Sequence, residues 1–157
     1  MLDEKRTVLV VDDNEELREV AQEILETSGF RVVKAASAEA ALVLFDQRGD
    51  EIDLLLSDLT MPGMNGIELA DRLRRQGREL PIVLMSTRCG DPDLRRRLEQ
   101  GDLGFVAKPY TLDSLARAAC HHLEQPPPVD GRGAEGSKPA AERRWSSFFR
   151  RWLGSPV

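Results

Sequence analysis

The sequence predicts an α/β fold in which five strand–helix units build a doubly wound, five-stranded parallel sheet. Apolar runs without alternation recur along the chain, as they do in strands buried on both faces. Between them lie segments whose apolar residues repeat at three- and four-residue spacing, the mark of helices with one buried face. Strand and helix alternate five times, an order that yields a parallel sheet with helices on both faces and right-handed crossovers.

Thr7-Val8-Leu9-Val10-Val11 is the first such run, and it stops at Asp12-Asp13. Asn14 caps a helix carrying Leu17, Val20, Ala21, Ile24 and Leu25 on one face, and Gly29 supplies its left-handed stop. Phe30 to Ala35 reads as the second strand and Ala38 to Gln47 as the second helix. Asp53 to Asp58 is the third strand, again ending in an acid. A loop containing Pro62, Gly63 and Gly66 precedes a helix from about Ile67 to Arg75. Pro81 to Ser86 is the fourth strand, and Asp91-Pro92 is a cap and first-turn pair for a helix ending near Gln100. Gly104 to Lys108 is a short fifth strand. Thr111 caps a last helix with Leu112, Leu115, Ala119 and Leu123 inward, and Gln125-Pro126-Pro127-Pro128 ends it.

The chain has 157 residues, 41% apolar and 31% charged, which suits one domain with a proper core and a short appendage. It holds no apolar run of the roughly 20 residues that span a bilayer. The N-terminus lacks a basic-then-apolar leader, and Cys89 and Cys120 form neither a disulfide framework nor a CxxC pair. A cytoplasmic location with reduced thiols is expected. The only histidines are the adjacent His121 and His122, so histidine-based metal or triad chemistry has little material. The net charge of −5 is uneven: residues 1–123 carry 16 Lys/Arg against 23 Asp/Glu, residues 124–157 carry 6 against 4. An acidic body repels a phosphate backbone, so no nucleic-acid partner is expected.

Ligands of doubly wound sheets bind beyond the carboxyl ends of the strands. Asp12, Asp13, Asp58, Ser86 and Lys108 all fall there, at four different strands. One acid after a strand is usually a solvated loop residue; five polar groups at four strand ends of one pattern are not explained that way. Three nearby carboxylates call for a cation, and hard oxygens suit Mg²⁺. With a lysine and a hydroxyl alongside, such a site can bind a phosphoryl group and stabilise its transfer onto a carboxylate. Asp58, alone at the end of a central strand, is the best acceptor.

With these residues the chain resembles the receiver domains of bacterial two-component response regulators, over roughly residues 5 to 123. The motifs are Val10-Val11-Asp12-Asp13-Asn14, Leu56 to Gly66 with Asp58 and Met61-Pro62-Gly63, Pro81 to Ser86, and Gly104-Phe105-Val106-Ala107-Lys108-Pro109-Tyr110. The resemblance implies a CheY-like, flavodoxin-like fold with strand order 2-1-3-4-5. It implies phosphorylation of Asp58 by a histidine kinase or histidine phosphotransfer protein. It also implies Mg²⁺ on Asp12, Asp13, Asp58 and the backbone carbonyl of Thr60. Ser86 and Lys108 match the family's assisting hydroxyl and lysine, and Ser86 and Phe105 its switch pair. Two departures stand out: Thr87 where the family usually has Ala or Gly, and Phe105 where it often has Tyr. The strings Leu84-Met85-Ser86 and Pro109-Tyr110-Thr111 look most like receivers of hybrid sensor kinases.

The domain plan is therefore a receiver over residues 1–123, a Pro/Gly-rich linker over 124–139 and a basic aromatic segment over 140–157. In the last, Trp145, Phe148, Phe149, Trp152 and Leu153 fall on one helical stripe, flanked by Arg143, Arg144, Arg150 and Arg151. A downstream protein partner or self-association is favoured as the cover for that stripe over peripheral contact with an anionic membrane. The leading function is phosphorylation-dependent partner binding without a DNA-binding output domain. The alternatives are a Mg²⁺-dependent phosphatase with an aspartyl nucleophile, and a degenerate receiver that works without phosphorylation. The first lacks the second acid two residues on, where Thr60 stands; the second is disfavoured by the complete acid, hydroxyl and lysine set.

Overall fold

The structure, a computed structural model, describes residues 5–87 and 91–124. Five strands, β1 (Thr7–Val11), β2 (Arg31–Ala35), β3 (Leu54–Asp58), β4 (Ile82–Ser86) and β5 (Gly104–Ala107), alternate with five helices. These are α1 (Glu15–Thr27), α2 (Ala38–Arg48), α3 (Gly66–Arg75), α4 (Pro92–Glu99) and α5 (Leu112–Glu124). The sheet is wholly parallel, in the order β2-β1-β3-β4-β5. The residues assigned to the linker and the basic aromatic segment, apart from the helical Glu124, lie outside the described residues, as does Cys89.

The unbroken apolar runs have the cause expected of them. Every residue of β1, β3 and β4 is buried, and successive side chains go to opposite faces. Leu9, Val11, Leu55, Ile82 and Leu84 join one core cluster with Ala41 and Phe45 of α2, Leu69 and Leu73 of α3 and Leu94 of α4. Val8, Val10, Leu54, Leu56, Val83 and Met85 join the other, with Ala21 and Leu25 of α1 and Leu115 and Ala119 of α5. So α2, α3 and α4 cover one face of the sheet and α1 and α5 the other.

Local chemistry sets the helix ends. The side chain of Asn14 accepts from the Leu17 N–H, Ser37 from Ala40, Asn65 from Glu68, and Asp91 from Asp93 and Leu94. Gly29 takes φ +96° just past α1, a conformation that costs a side-chain-bearing residue.

β3 and β4 each begin one residue later than expected, at Leu54 and Ile82, and four further details differ from the sequence expectation. Phe30 precedes β2 rather than opening it; it turns into the core, 1% exposed, with its N–H bonded to the Leu25 carbonyl. A 3₁₀ turn, Gly49–Glu51, follows α2. β5 ends at Ala107, one residue before Lys108. Val20 and Leu112, placed inward by periodicity, are 45% and 50% exposed. Val20 sits at the margin of its helix's apolar arc, whereas Leu112 is the first residue of α5, whose opening turn is exposed through Ser114.

The same helix thus offers an internal comparison. Leu115→Ala, at a fully buried position, should lower unfolding free energy in urea by about 2–5 kcal/mol. Leu112→Ala should stay within about 0.5 kcal/mol of the native chain. Equal losses would show that the face of α5 is misplaced.

Candidate functional site

Strand register assembles the site. Val11 of β1 stands beside Ser57 of β3, so the next residues, Asp12 just past β1 and Asp58 at the end of β3, come side by side at the sheet's carboxyl edge. Asp58 stands beside Met85 of β4, which puts Ser86 one step further on. Ser86 stands beside Ala107 of β5, and Lys108 follows. The Lys108 N–H continues the ladder by donating to the Ser86 carbonyl at 2.9 Å.

Asp12, Asp13 and Asp58 each offer a carboxylate oxygen within 4.8 Å of the others. Asp12 is wholly buried and Asp58 is 8% exposed, while Asp13 faces solvent. The Lys108 ammonium bridges the two buried acids, 3.0 Å from Asp12 Oδ2 and 3.3 Å from Asp58 Oδ2. The backbone completes the cradle. Asp12 Oδ1 accepts from the Asn14 N–H at 2.9 Å, and Asp58 Oδ1 accepts from the Thr60 N–H at 3.4 Å.

Electrostatics leave this cluster short of positive charge. Burial pushes the Asp58 carboxyl above its ordinary 3.8, and the neighbouring Asp12 adds to the rise; Lys108 offsets only part of it. A cation coordinated here would relieve that excess. The donor set of three carboxylates suits a hard divalent ion such as Mg²⁺.

Ser86 is 4% exposed, and with Thr60, Met61, Asn65 and Asp91 it lines a cleft of about 630 Å³ beside the acids. Thr87, next in the chain, is exposed. Phe105 is half-buried and packs against the core cluster beneath α2, α3 and α4. The aromatic and basic residues of the tail, Trp145, Phe148, Phe149, Arg150, Arg151 and Trp152, lie outside the described residues.

The supporting roles of three residues escaped the sequence reading. Arg18 of α1 donates Nη1 to the Asp12 carbonyl at 2.7 Å. Tyr110 donates its hydroxyl to the Leu17 carbonyl at 3.0 Å. Burial pushes that phenol up to about 12, with the charges of Asp12 and Asp58 adding to the shift, so it stays a donor at any physiological pH. Gly66 opens α3 where a Cβ would lie 2.6 Å from the Asp58 carbonyl and 3.0 Å from Leu84. Only glycine lets the helix start so close beneath the phosphoacceptor candidate. A glycine at a helix's first position, where it adds nothing to helix stability, was the available signal for that close approach.

The response regulator receiver domain family matches residues 8–119. Relatives of more than one kind match. The chain is 40% identical over 103 residues to the transcriptional regulatory protein CpxR of Escherichia coli (strain K12), covering 66% of this chain and 43% of that protein. It is 32% identical over 119 residues to the sensor kinase CckA of Brucella abortus (strain 2308), covering 76% and 13%. The chain thus spans less than half the length of these curated relatives. Among solved structures, the chemotaxis protein CheY4 of Vibrio cholerae has a TM-score of 0.69 at 26% identity, over 76% of this chain and 99% of CheY4. The receiver domain of the hybrid histidine kinase CckA has a TM-score of 0.63 at 29% identity, over 74% and 98%. With a (βα)₅ sheet in the order 2-1-3-4-5, an acidic cluster at its carboxyl edge and a family match across the folded part, the chain belongs to the response regulator receiver domain family of two-component signalling.

Proposed function

We propose that this chain is the phosphoacceptor of a two-component relay, with Asp58 as the residue that takes the phosphoryl group. One observation carries the reading: a buried carboxylate whose pKa is raised sits 3.3 Å from a lysine ammonium and within 4.8 Å of two further acids. The donor is a phosphohistidine on a histidine kinase or phosphotransfer protein. An Asp58 carboxylate oxygen forms a bond to phosphorus as the donor's P–N bond breaks, and the imidazole leaves with the electron pair. Asp12, Asp13, Asp58 and the Thr60 carbonyl would hold Mg²⁺. When bound, that ion supplies charge neutralisation for the incoming phosphoryl oxygens. Lys108 contributes its ammonium to the same oxygens, fixed in place by Asp12. The Thr60 N–H, close to Asp58 Oδ1, holds the acceptor's orientation.

Readout proceeds through Ser86 and Phe105. Phosphoryl oxygens on Asp58 accept from the Ser86 hydroxyl and draw the β4–α4 connection inward, and Phe105 follows into the space vacated. The face so altered is that of α4, β5 and α5. Residues 124–139 act as a linker, and residues 140–157 carry the contact with a downstream protein partner, through Trp145, Phe148, Phe149 and Trp152 with Arg150 and Arg151.

Incubation with acetyl phosphate and Mg²⁺ should add one phosphoryl group, read by intact mass. Asp58→Asn should abolish that uptake, and retention of full uptake would sink the assignment. Asp13→Asn should slow uptake at limiting Mg²⁺, with excess EDTA abolishing it in the native chain.

The raised Asp58 pKa has a stability signature as well. An acid whose folded-state pKa exceeds its unfolded one penalises folding above that pKa, and the penalty vanishes below the ordinary value of 3.8. In EDTA, Asp58→Asn should therefore raise the thermal midpoint at pH 7. Its advantage should shrink to nothing as the pH falls below 3.8. An advantage independent of pH would show that relief of buried charge is not its source.

Removal of residues 138–157 should leave the fold and Asp58 phosphorylation intact while abolishing partner capture. Vesicle co-sedimentation at low and high salt separates a lipid contact from a protein one, since arginine-mediated lipid binding weakens on screening. Unfolding on truncation would show instead that the segment belongs to the core.

A further inference from the structure

Tyr110 is left without a task by the reading above, yet it is tied into the site from three directions. Lys108 is anchored on its near side by the sheet, through its N–H on the Ser86 carbonyl. On its far side comes Pro109, which has no N–H to donate and whose ring stiffens the backbone. The next residue, Tyr110, packs its ring against the core cluster beneath α1 and α5 and donates its hydroxyl to the Leu17 carbonyl, 93 positions away. The residue after Leu17 is Arg18, whose Nη1 grips the Asp12 carbonyl at 2.7 Å. Asp12 in turn receives the Lys108 ammonium at 3.0 Å. These links close a circuit: Lys108 to Asp12, Asp12 to α1, α1 to Tyr110, and Tyr110 back through one proline to Lys108.

We propose that the Tyr110 hydroxyl is a positioning group that holds the β5–α5 connection against α1, and so keeps the Lys108 ammonium in reach of both buried carboxylates. A lysine side chain is long and freely rotating, so where its ammonium dwells depends on where its backbone is held. Asp12 alone can keep the pair at 3.0 Å, but the longer 3.3 Å contact to Asp58 loosens first when the loop gains freedom. Phenylalanine at 110 keeps the ring in its packing and removes only the tether. The kinetic part of this proposal rests on Asp58 being the phosphoacceptor; the positional part does not.

The test uses the full chain with Tyr110→Phe, Lys108→Ala and the double variant. Groups that orient a site residue are worth about ten-fold in function. Tyr110→Phe should therefore slow Mg²⁺-dependent phosphate uptake from acetyl phosphate about ten-fold. In the Lys108→Ala background the same change should have no further effect, because its target is gone. Independently, the ¹H–¹⁵N signal of the Lys108 ammonium should broaden in Tyr110→Phe while circular dichroism and the amide spectrum of the sheet stay native. Unchanged uptake with an unchanged ammonium signal overturns the proposal. So does an equal fractional loss in both backgrounds, which would mean that the hydroxyl acts by another route. If Asp58→Asn also takes up phosphate, the phosphoacceptor reading falls, and the ammonium signal then decides the positional claim by itself.

Discussion

Two carboxylates, Asp12 and Asp58, are held side by side out of water, and their mutual repulsion is the constraint around which the carboxyl edge of the sheet is arranged. Parallel register leaves no choice about the placement, since β1 and β3 are paired neighbours and Val11 stands beside Ser57. The cost of gathering like charges there must be offset by something close. Lys108 offsets part of it, and backbone N–H groups of Asn14 and Thr60 offset a little more. Burial outweighs these offsets and keeps the Asp58 carboxyl above its ordinary range, with the neighbouring Asp12 adding to the rise. A site left short of positive charge in this way is primed for a cation and then for the oxygens of a phosphoryl group.

The rest of the fold is what makes that arrangement rigid. β1, β3 and β4 are buried from end to end, so the edge on which the acids stand cannot shift without moving packed side chains on both faces. Gly66 brings α3 up against the Asp58 carbonyl, and its N–H bonds the Leu59 carbonyl at 2.9 Å, pinning the connection that follows Asp58. On the opposite side α1 reaches two site loops, through Arg18 and through the carbonyl of Leu17. Acids at the end of a soft sheet would relax apart and lose the tension that favours cation binding.

Legibility in the sequence followed the range of the interaction. Apolar runs, caps at Asn14 and Asp91, and the stop at Gly29 are local, and the structure places them as read. The grouping of Asp12, Asp13, Asp58, Ser86 and Lys108 at one edge was legible because a parallel (βα) order forces strand ends together. The tie of Tyr110 to Leu17 and that of Arg97 to Asp71 were not. Nothing near Tyr110 announces Leu17, and nothing near Arg97 announces Asp71, because a polar side chain's partner is chosen by packing. Periodicity misplaced Val20 and Leu112 because it is a local signal, while how far around and along a helix the burial reaches is set by whatever packs against it.

Arg97 also shows how unevenly the helices are held. α3 buries five residues and α2 three, but α4 buries only Leu94, with Leu98 half-covered. What docks α4 is chiefly charge. The Arg97 guanidinium reaches Asp71 of α3 at 2.7 Å and Asp102, in the connection to β5, at 2.5 Å; Arg74 of α3 meets the same Asp102 at 3.5 Å. The Arg97 side chain is only 13% exposed, so these pairs are partly shielded from water, but they still tie α4 through two carboxylates rather than through a broad apolar face. The helix with the least apolar anchorage begins a few residues after Ser86. The fold places its weakest-anchored helix next to its charged edge, while α1 and α3, which hold that edge, are fastened by apolar burial. Buried apolar residues fasten α3, whereas the ion pairs of Arg97 do much of the work of fastening α4.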